Sequence, residues 1–284
     1  MKDFPIPVVA LGPGAHTEDE SLAYLPMPAD MATYRPPVLP EAEDLVGLDG
    51  AREALNQVLA LLQRGQAGQV PLLGLTAADV ALFNQVLGEG EASAIVQLGD
   101  NGLEVRVQES VFAGVWRLMT WRGSELVDDA VEVGPVPELF RAVAVEDVWD
   151  HPPRWVGPLP PNVQNAPLLI EEVRDQTSRW RPGQLPHVIN LTLLPVSPED
   201  IAFLDHHLGT GRVLMLSRGY GNCRISNTRL PNCWRVVYYN SMDKVILNTV
   251  EVVDMPEVAM AAPEDLQDSH DRLREVMAWL EDAA

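Results

Sequence analysis

The chain is short of cysteine, of basic charge and of long apolar runs, and each shortage excludes something. Cys223 and Cys233 are the two cysteines in 284 residues. Nine residues separate them, so C-x2-C spacing is missing and no second pair completes a four-ligand zinc or iron–sulfur site. Twenty Lys plus Arg stand against forty-one Asp plus Glu, a net charge of −21. Such a field repels phosphate backbones and anionic lipid, which argues against nucleic acid as a partner and favours encounter with basic segments. No run approaches the roughly 18 apolar residues that span a bilayer. The opening stretch, MKDFPIPVVALGPGAHTEDE, breaks its apolar patch with proline and glycine, unlike a signal peptide. We expect a cytoplasmic protein without membrane insertion, in which a structural disulfide is out of place.

The motifs of common chemistries are missing too. There is no G-x-S-x-G elbow, no Walker loop and no G-x-G-x-x-G after a strand. Of six histidines, only His206 and His207 are neighbours, and adjacent helix positions point about 100° apart, which suits no shared metal. No cofactor and no enzymatic activity are expected.

Hydrophobic residues make up 46% of the chain and charged residues 21%, enough for ordinary cores. The pattern predicts an α+β fold of two tandem, duplicated domains, each a small, mainly antiparallel sheet with packed helices. An extended Pro-rich arm, residues 1–42, precedes a first repeat over 43–150. A Pro-rich linker over 151–166 leads to a second repeat over 167–284. Duplication rests on ordered matches. Gly68-Gln-Val-Pro71 answers Gly183-Gln-Leu-Pro186, and TAADVALFNQVLGEG from Thr76 answers SPEDIAFLDHHLGTG from Ser197. Val115-Trp116-Arg117 answers Cys233-Trp234-Arg235, and Val131-Glu132-Val133 answers Val250-Glu251-Val252. The two helical matches each carry a Ser/Thr cap, an Asp three residues on and a closing Leu-Gly. LEVRVQE, from Leu103, alternates as a strand with one solvated face, whereas GVWRLMTW and CWRVVYYN are apolar on both faces and should lie centrally. Leu266, Leu273, Val276, Met277 and Leu280 form the stripe of a closing helix.

The repeat also bears on the thiols. An offset of 118 sets Cys223 on Val105 and Cys233 on Val115, favouring two small core residues. A reversible thiol pair across adjacent antiparallel strands stays open. Arginines and aromatics concentrate nearby, and Arg218, Tyr220, Arg224, Arg229, Trp234, Arg235 and Asn240 are candidates for partner contact, Arg and aromatic side chains being favoured interface anchors. Trp234 has a core reading as well, since Trp116 has the same neighbours.

GYGNCRISNTRLPNCWRVVYYNSMDKVILNTVEVVDMPEVA, residues 219–259, together with YLPMPADMATYRPPVLPE, residues 24–41, resembles the HupH/HyaF family of [NiFe]-hydrogenase expression/formation proteins. The resemblance implies a non-catalytic accessory chaperone of hydrogenase maturation. Its partners would be the iron–sulfur small-subunit precursor with its twin-arginine signal peptide, and a thioredoxin-like maturation protein. The alternative is a transient carrier of iron or an iron–sulfur cluster using Cys223 and Cys233.

Overall fold

The computed structural model describes residues 47–99, 102–218 and 221–282. The predicted arm, residues 1–42, and Tyr220 lie outside them. The fold is α+β, with antiparallel strand pairing throughout the ladders below and six α-helices among the described residues.

The chain forms two compact units, one of residues 32–138 with 258–284 and one of residues 139–257, leaving aside the first 31 residues. In the first unit, α1 (Asp49–Arg64) buries Ala51, Ala54, Leu55, Val58 and Leu62 along one stripe. It ends where Gly65 turns left-handed at φ 59° and its N–H reaches the Leu61 and Leu62 carbonyls. Strand β1 (Gly68–Pro71) leads to α2 (Ala77–Leu87). Strands β2 (Ala92–Leu98), β3 (Leu103–Glu109), β4 (Val115–Arg122) and β5 (Glu125–Val133) follow, in the spatial order β1-β5-β4-β3-β2. Val70, Val115, Val131 and Val133 of this sheet share one core with α1, α2 and the last helix, α6 (Pro263–Asp282), which contributes Leu273, Met277 and Leu280.

The second unit takes α3 (Glu138–Glu146, from Leu139 on), α4 (Ala166–Arg179), β6 (His187–Asn190), α5 (Pro198–Leu208), β7 (Val213–Ser217), β8 (Asn222–Asn227), β9 (Cys233–Tyr239) and β10 (Val245–Val252). Its sheet runs β7-β8-β9-β10-β6, the same order read from the other end. Ile170 and Val173 of α4 pack with Phe203, Leu204 and Leu208 of α5 against Cys233, Val250 and Val252. Each unit therefore contains the helix that follows the other half's sheet. As the apolar patterns require, β4 and β9 are the middle strands.

Local hydrogen bonding recurs between the units, residue for residue. Thr76 and Ser197 cap α2 and α5 in reciprocal boxes with Asp79 and Asp200. Each of these aspartates also reaches the start of the preceding helix. Asp79 accepts from Ala51 N at 2.9 Å, and Asp200 accepts from Gln164, Asn165 and Ala166 N at 2.8–2.9 Å. Ser110 closes a turn with Phe112 as Thr228 does with Leu230. The indoles of buried Trp116 and Trp234 donate to the Gly134 and Asp254 carbonyls, just past β5 and β10.

Candidate partner-binding surfaces

Register separates the two thiols. Cys223 lies opposite Tyr238, while Cys233 sits five positions earlier on that same strand. At about 3.4 Å per residue the two stations are about 17 Å apart, and an odd step along a strand puts them on opposite faces. A disulfide needs Cα atoms within about 7 Å. The valine correspondence holds in burial: Val105, Val115, Cys223 and Cys233 are all buried. Burial pushes both thiols up to about 12, which leaves little reactive thiolate at neutral pH. Among the described residues no group of three or more His, Cys, Asp or Glu is disposed to hold a metal ion. Cys223→Val and Cys233→Val, the repeat's own residues, are expected to cost no more than about 1 kcal/mol each in urea unfolding. Both thiols should resist an aromatic disulfide reagent until the chain unfolds.

The remaining candidates fall in different settings. Trp234 is buried. Arg229 lies over the Trp149 ring at 5.1 Å and donates Nε to the Asp147 carbonyl at 3.2 Å. Arg235 reaches Asp205 on α5 at 3.4 Å. Asn240 holds the β9–β10 turn, its Oδ1 accepting from Met242 N and Lys244 N at 2.9 Å. Arg224 is half-buried on β8 and hydrogen-bonds Tyr239, and Arg218 is half-buried just after β7. Five of the seven thus make contacts within their own unit. Residue type suggests contact surfaces, while the fold partners Asp147, Trp149 and Asp205 are 30 to 82 positions away in sequence, beyond any local pattern.

Beside Arg229, a buried polar network pins α3 to its sheet. Asp147 accepts from Asn227 Nδ2 at 2.9 Å, Arg212 N at 2.7 Å and Arg212 Nε at 2.6 Å. Burial alone would raise the Asp147 carboxyl, but these donors hold it below its ordinary value. The offsets of the repeat put Glu91 where Arg212 stands and Glu109 where Asn227 stands, so the corresponding place in the first unit is acidic.

That contrast extends to whole units. Residues 32–138 and 258–284 carry 23 acidic and 8 basic side chains, net −15; residues 139–257 carry 13 and 11, net −2. On α6, Glu264, Asp268, Asp271 and Glu275 follow one another at spacings of four, three and four, and Trp279 continues the line with an exposed ring. Arg272 and Arg274 pair with Asp268 and Asp271 and offset part of it.

The profile described as HupH hydrogenase expression protein, C-terminal conserved region, matches residues 51–154 and again residues 163–280. The chain belongs to the HupH/HyaF family. It is similar to hydrogenase expression/formation protein HoxQ of Cupriavidus necator, 50% identical over 99% of both chains. It is likewise similar to hydrogenase expression/formation protein HupH of Rhodobacter capsulatus, 43% identical over 98% of both. A solved structure, hydrogenase expression protein HupH from Thiobacillus denitrificans, is 25% identical, covers 40% of this chain and 95% of its own, and superposes with a TM-score of 0.38. In this HupH/HyaF chain each profile match takes in one helix with a reciprocal cap box and five strands. No helix among the described residues is long and apolar enough to cross a membrane.

Proposed function

We propose that this protein acts in [NiFe]-hydrogenase maturation as a duplicated, non-catalytic chaperone that holds the iron–sulfur small-subunit precursor before twin-arginine export, and that its acidic unit receives the cationic leader. The relatives' role as hydrogenase expression/formation proteins supports the setting. The observation that carries the choice of unit is the charge segregation, −15 against −2. A cationic segment gains Coulomb energy and encounter rate beside the first and little beside the second. The surface acids of α6, with Trp279 beside them, offer carboxylates and an aromatic face to guanidinium groups. The Arg224 and Tyr239 cluster on β8 and β9 belongs to the nearly neutral unit and suits contact with the mature subunit instead.

Binding of the precursor, with and without its leader, measured across a salt series tests this. With the leader present, affinity should fall about tenfold or more between 0.05 and 0.5 M salt, because exposed charges are screened over a Debye length of about 10 Å at 0.1 M. Without the leader the salt slope should flatten. Reversing Glu264, Asp268 and Glu275 together to Lys should reproduce the high-salt affinity at low salt. No association at any salt, or a slope indifferent to the leader, would overturn the proposal.

A further inference from the structure

Strand β6 is the outer strand of the second unit's sheet, and the repeat supplies an internal comparison for it. β6 pairs with β10 over Thr249–Val252, as β1 pairs with β5 over Ala130–Val133. In the first unit that outer strand is blunted. Pro71 has no N–H to offer, and Gln69 folds over its neighbour, donating Nε2 to Glu132 at 2.9 Å. The ladder register corrects the sequence match of Gly68–Pro71 with Gly183–Pro186: the strand equivalent to β1 is His187–Asn190, and at this offset of 119 the second unit has Asn190 in place of Pro71 and Val188 in place of Gln69. Val188 is 50% exposed opposite Glu251, whose carboxylate accepts from Thr249 Oγ1 on its own strand. The amide that covers Glu132 has no counterpart here.

Beyond Glu251, and Glu172 which meets His187 at 2.8 Å, the strand and its flanks are apolar. From Leu185 to Val196 there is no Asp, Glu, Lys or Arg. Leu185 is 90%, Leu193 80% and, past the end of the β6 ladder on β10, Ile246 56% exposed. Natural outer strands are normally protected by charge, proline or cover, because their unpaired N–H and C=O groups recruit other strands. A second copy of this chain is a poor occupant, since it brings another −21 of like charge. An uncharged, extended segment of a different polypeptide matches both the neutral edge and its spare backbone groups.

We infer that the outer edge of β6 takes up an extended, uncharged apolar segment of a partner chain by strand addition, with Val188 and its exposed apolar neighbours as the side-chain contact. The inference rests on the chaperone reading to the extent that the apolar run behind the basic residues of an export leader is the segment meant.

Two binding measurements test it on the full-length chain: a labelled synthetic peptide of the leader's apolar run without its arginines, and the whole precursor. Val188→Lys places a charge on the edge, and Val188→Gln restores the cover found on β1; both replace an exposed side chain. The peptide should bind wild type and slow amide exchange at residues 188–190. Val188→Lys should weaken it tenfold or more and Val188→Gln several-fold, with precursor affinity falling in the same order. Equal binding of peptide and precursor by wild type and Val188→Lys overturns the inference and leaves the chaperone reading standing. Peptide binding that is lost in Val188→Lys, with no precursor binding at all, supports the edge and overturns the chaperone reading. Failure of the peptide to bind wild type overturns the edge. So does a concentration-dependent dimer abolished by Val188→Lys, which assigns the edge to a second copy, and so does displacement of the leader peptide by a synthetic peptide of residues 24–41, which assigns it to the chain's own arm.

Discussion

Asp200→Ala is expected to lower unfolding stability by about 3–4 kcal/mol, whereas Glu171→Ala, on the exposed side of α4, should stay within about 0.5 kcal/mol. Asp200 is buried, yet its carboxylate serves two helices at once. Oδ1 accepts from Gln164, Asn165 and Ala166 N at the start of α4, while Oδ2 accepts from Ser197 N at 3.1 Å at the start of α5. Alanine leaves those donors without their partner, and hydrogen bonds to a charged acceptor are worth about 1.5–3 kcal/mol each when lost singly. The sum is held down because first-turn amides reach water once the helix ends loosen. Burial on its own would raise the carboxyl, but the Ala166, Ser197, Gln164 and Asn165 amides outweigh it and lower it. A lowered folded value means that this stability is present above the ordinary aspartate range and is lost as pH falls through the folded value. Denaturant midpoints, together with amide exchange at residues 164–166, check the loss; protection unchanged there in Asp200→Ala would refute the shared-cap account.

The caps themselves were legible, because Ser/Thr with an Asp three residues on is a local pattern, and so were the central positions of β4 and β9, whose residues are apolar on both faces. The assignment of the cysteines to valine positions came from the repeat offset alone. Less legible was the unit that each closing helix joins. The stripe Leu266, Leu273, Met277, Leu280 says that α6 buries a face, but an amphipathic pattern does not name the sheet that receives it. Only with that assignment does the acidity sort into one unit. Arg229 and Arg235 have fold partners that local sequence does not name, for a related reason. Arginine is common at interfaces, yet the Trp149 ring and the Asp205 carboxylate occupy these two within the fold. Val188 carries no signal as a single residue, and its interest arises when β1 and β6 are set in register and Gln69 and Pro71 are found to have no counterparts.

The second large expected effect lies in the acidic counterpart of the Asp147 network. Glu109 ends β3, and burial pushes its carboxyl up to about 7, with the negative charges of Glu91 and Asp265 adding to the rise and the Gly114 and Ala92 amides opposing it. An acid whose folded value exceeds its unfolded one binds more protons when folded, so stability is highest below the unfolded value, near 4.5, and declines as pH rises towards 7. A separation of this size corresponds to about 2–3 kcal/mol lost between pH 5 and pH 8, at roughly 1.4 kcal/mol per unit. Glu109→Gln removes the titration and keeps a side chain that can accept from Gly114 N, which meets Glu109 Oε1 at 3.3 Å. The second unit already carries a neutral amide here, Asn227. The variant should therefore be more stable than wild type at pH 8 by about 2–3 kcal/mol, and the two should converge within about 1 kcal/mol at pH 5. Glu91→Gln should shift the wild-type decline to lower relative pKa and recover a fraction of the gain, because it removes one of the two repelling charges. Thermal melts of wild type and Glu109→Gln from pH 5 to 8 decide the matter: parallel curves would mean that Glu109 is ionised throughout and that its neighbours tolerate the charge, while curves that diverge with rising pH locate a strained carboxylate in the unit that also carries most of the protein's negative charge.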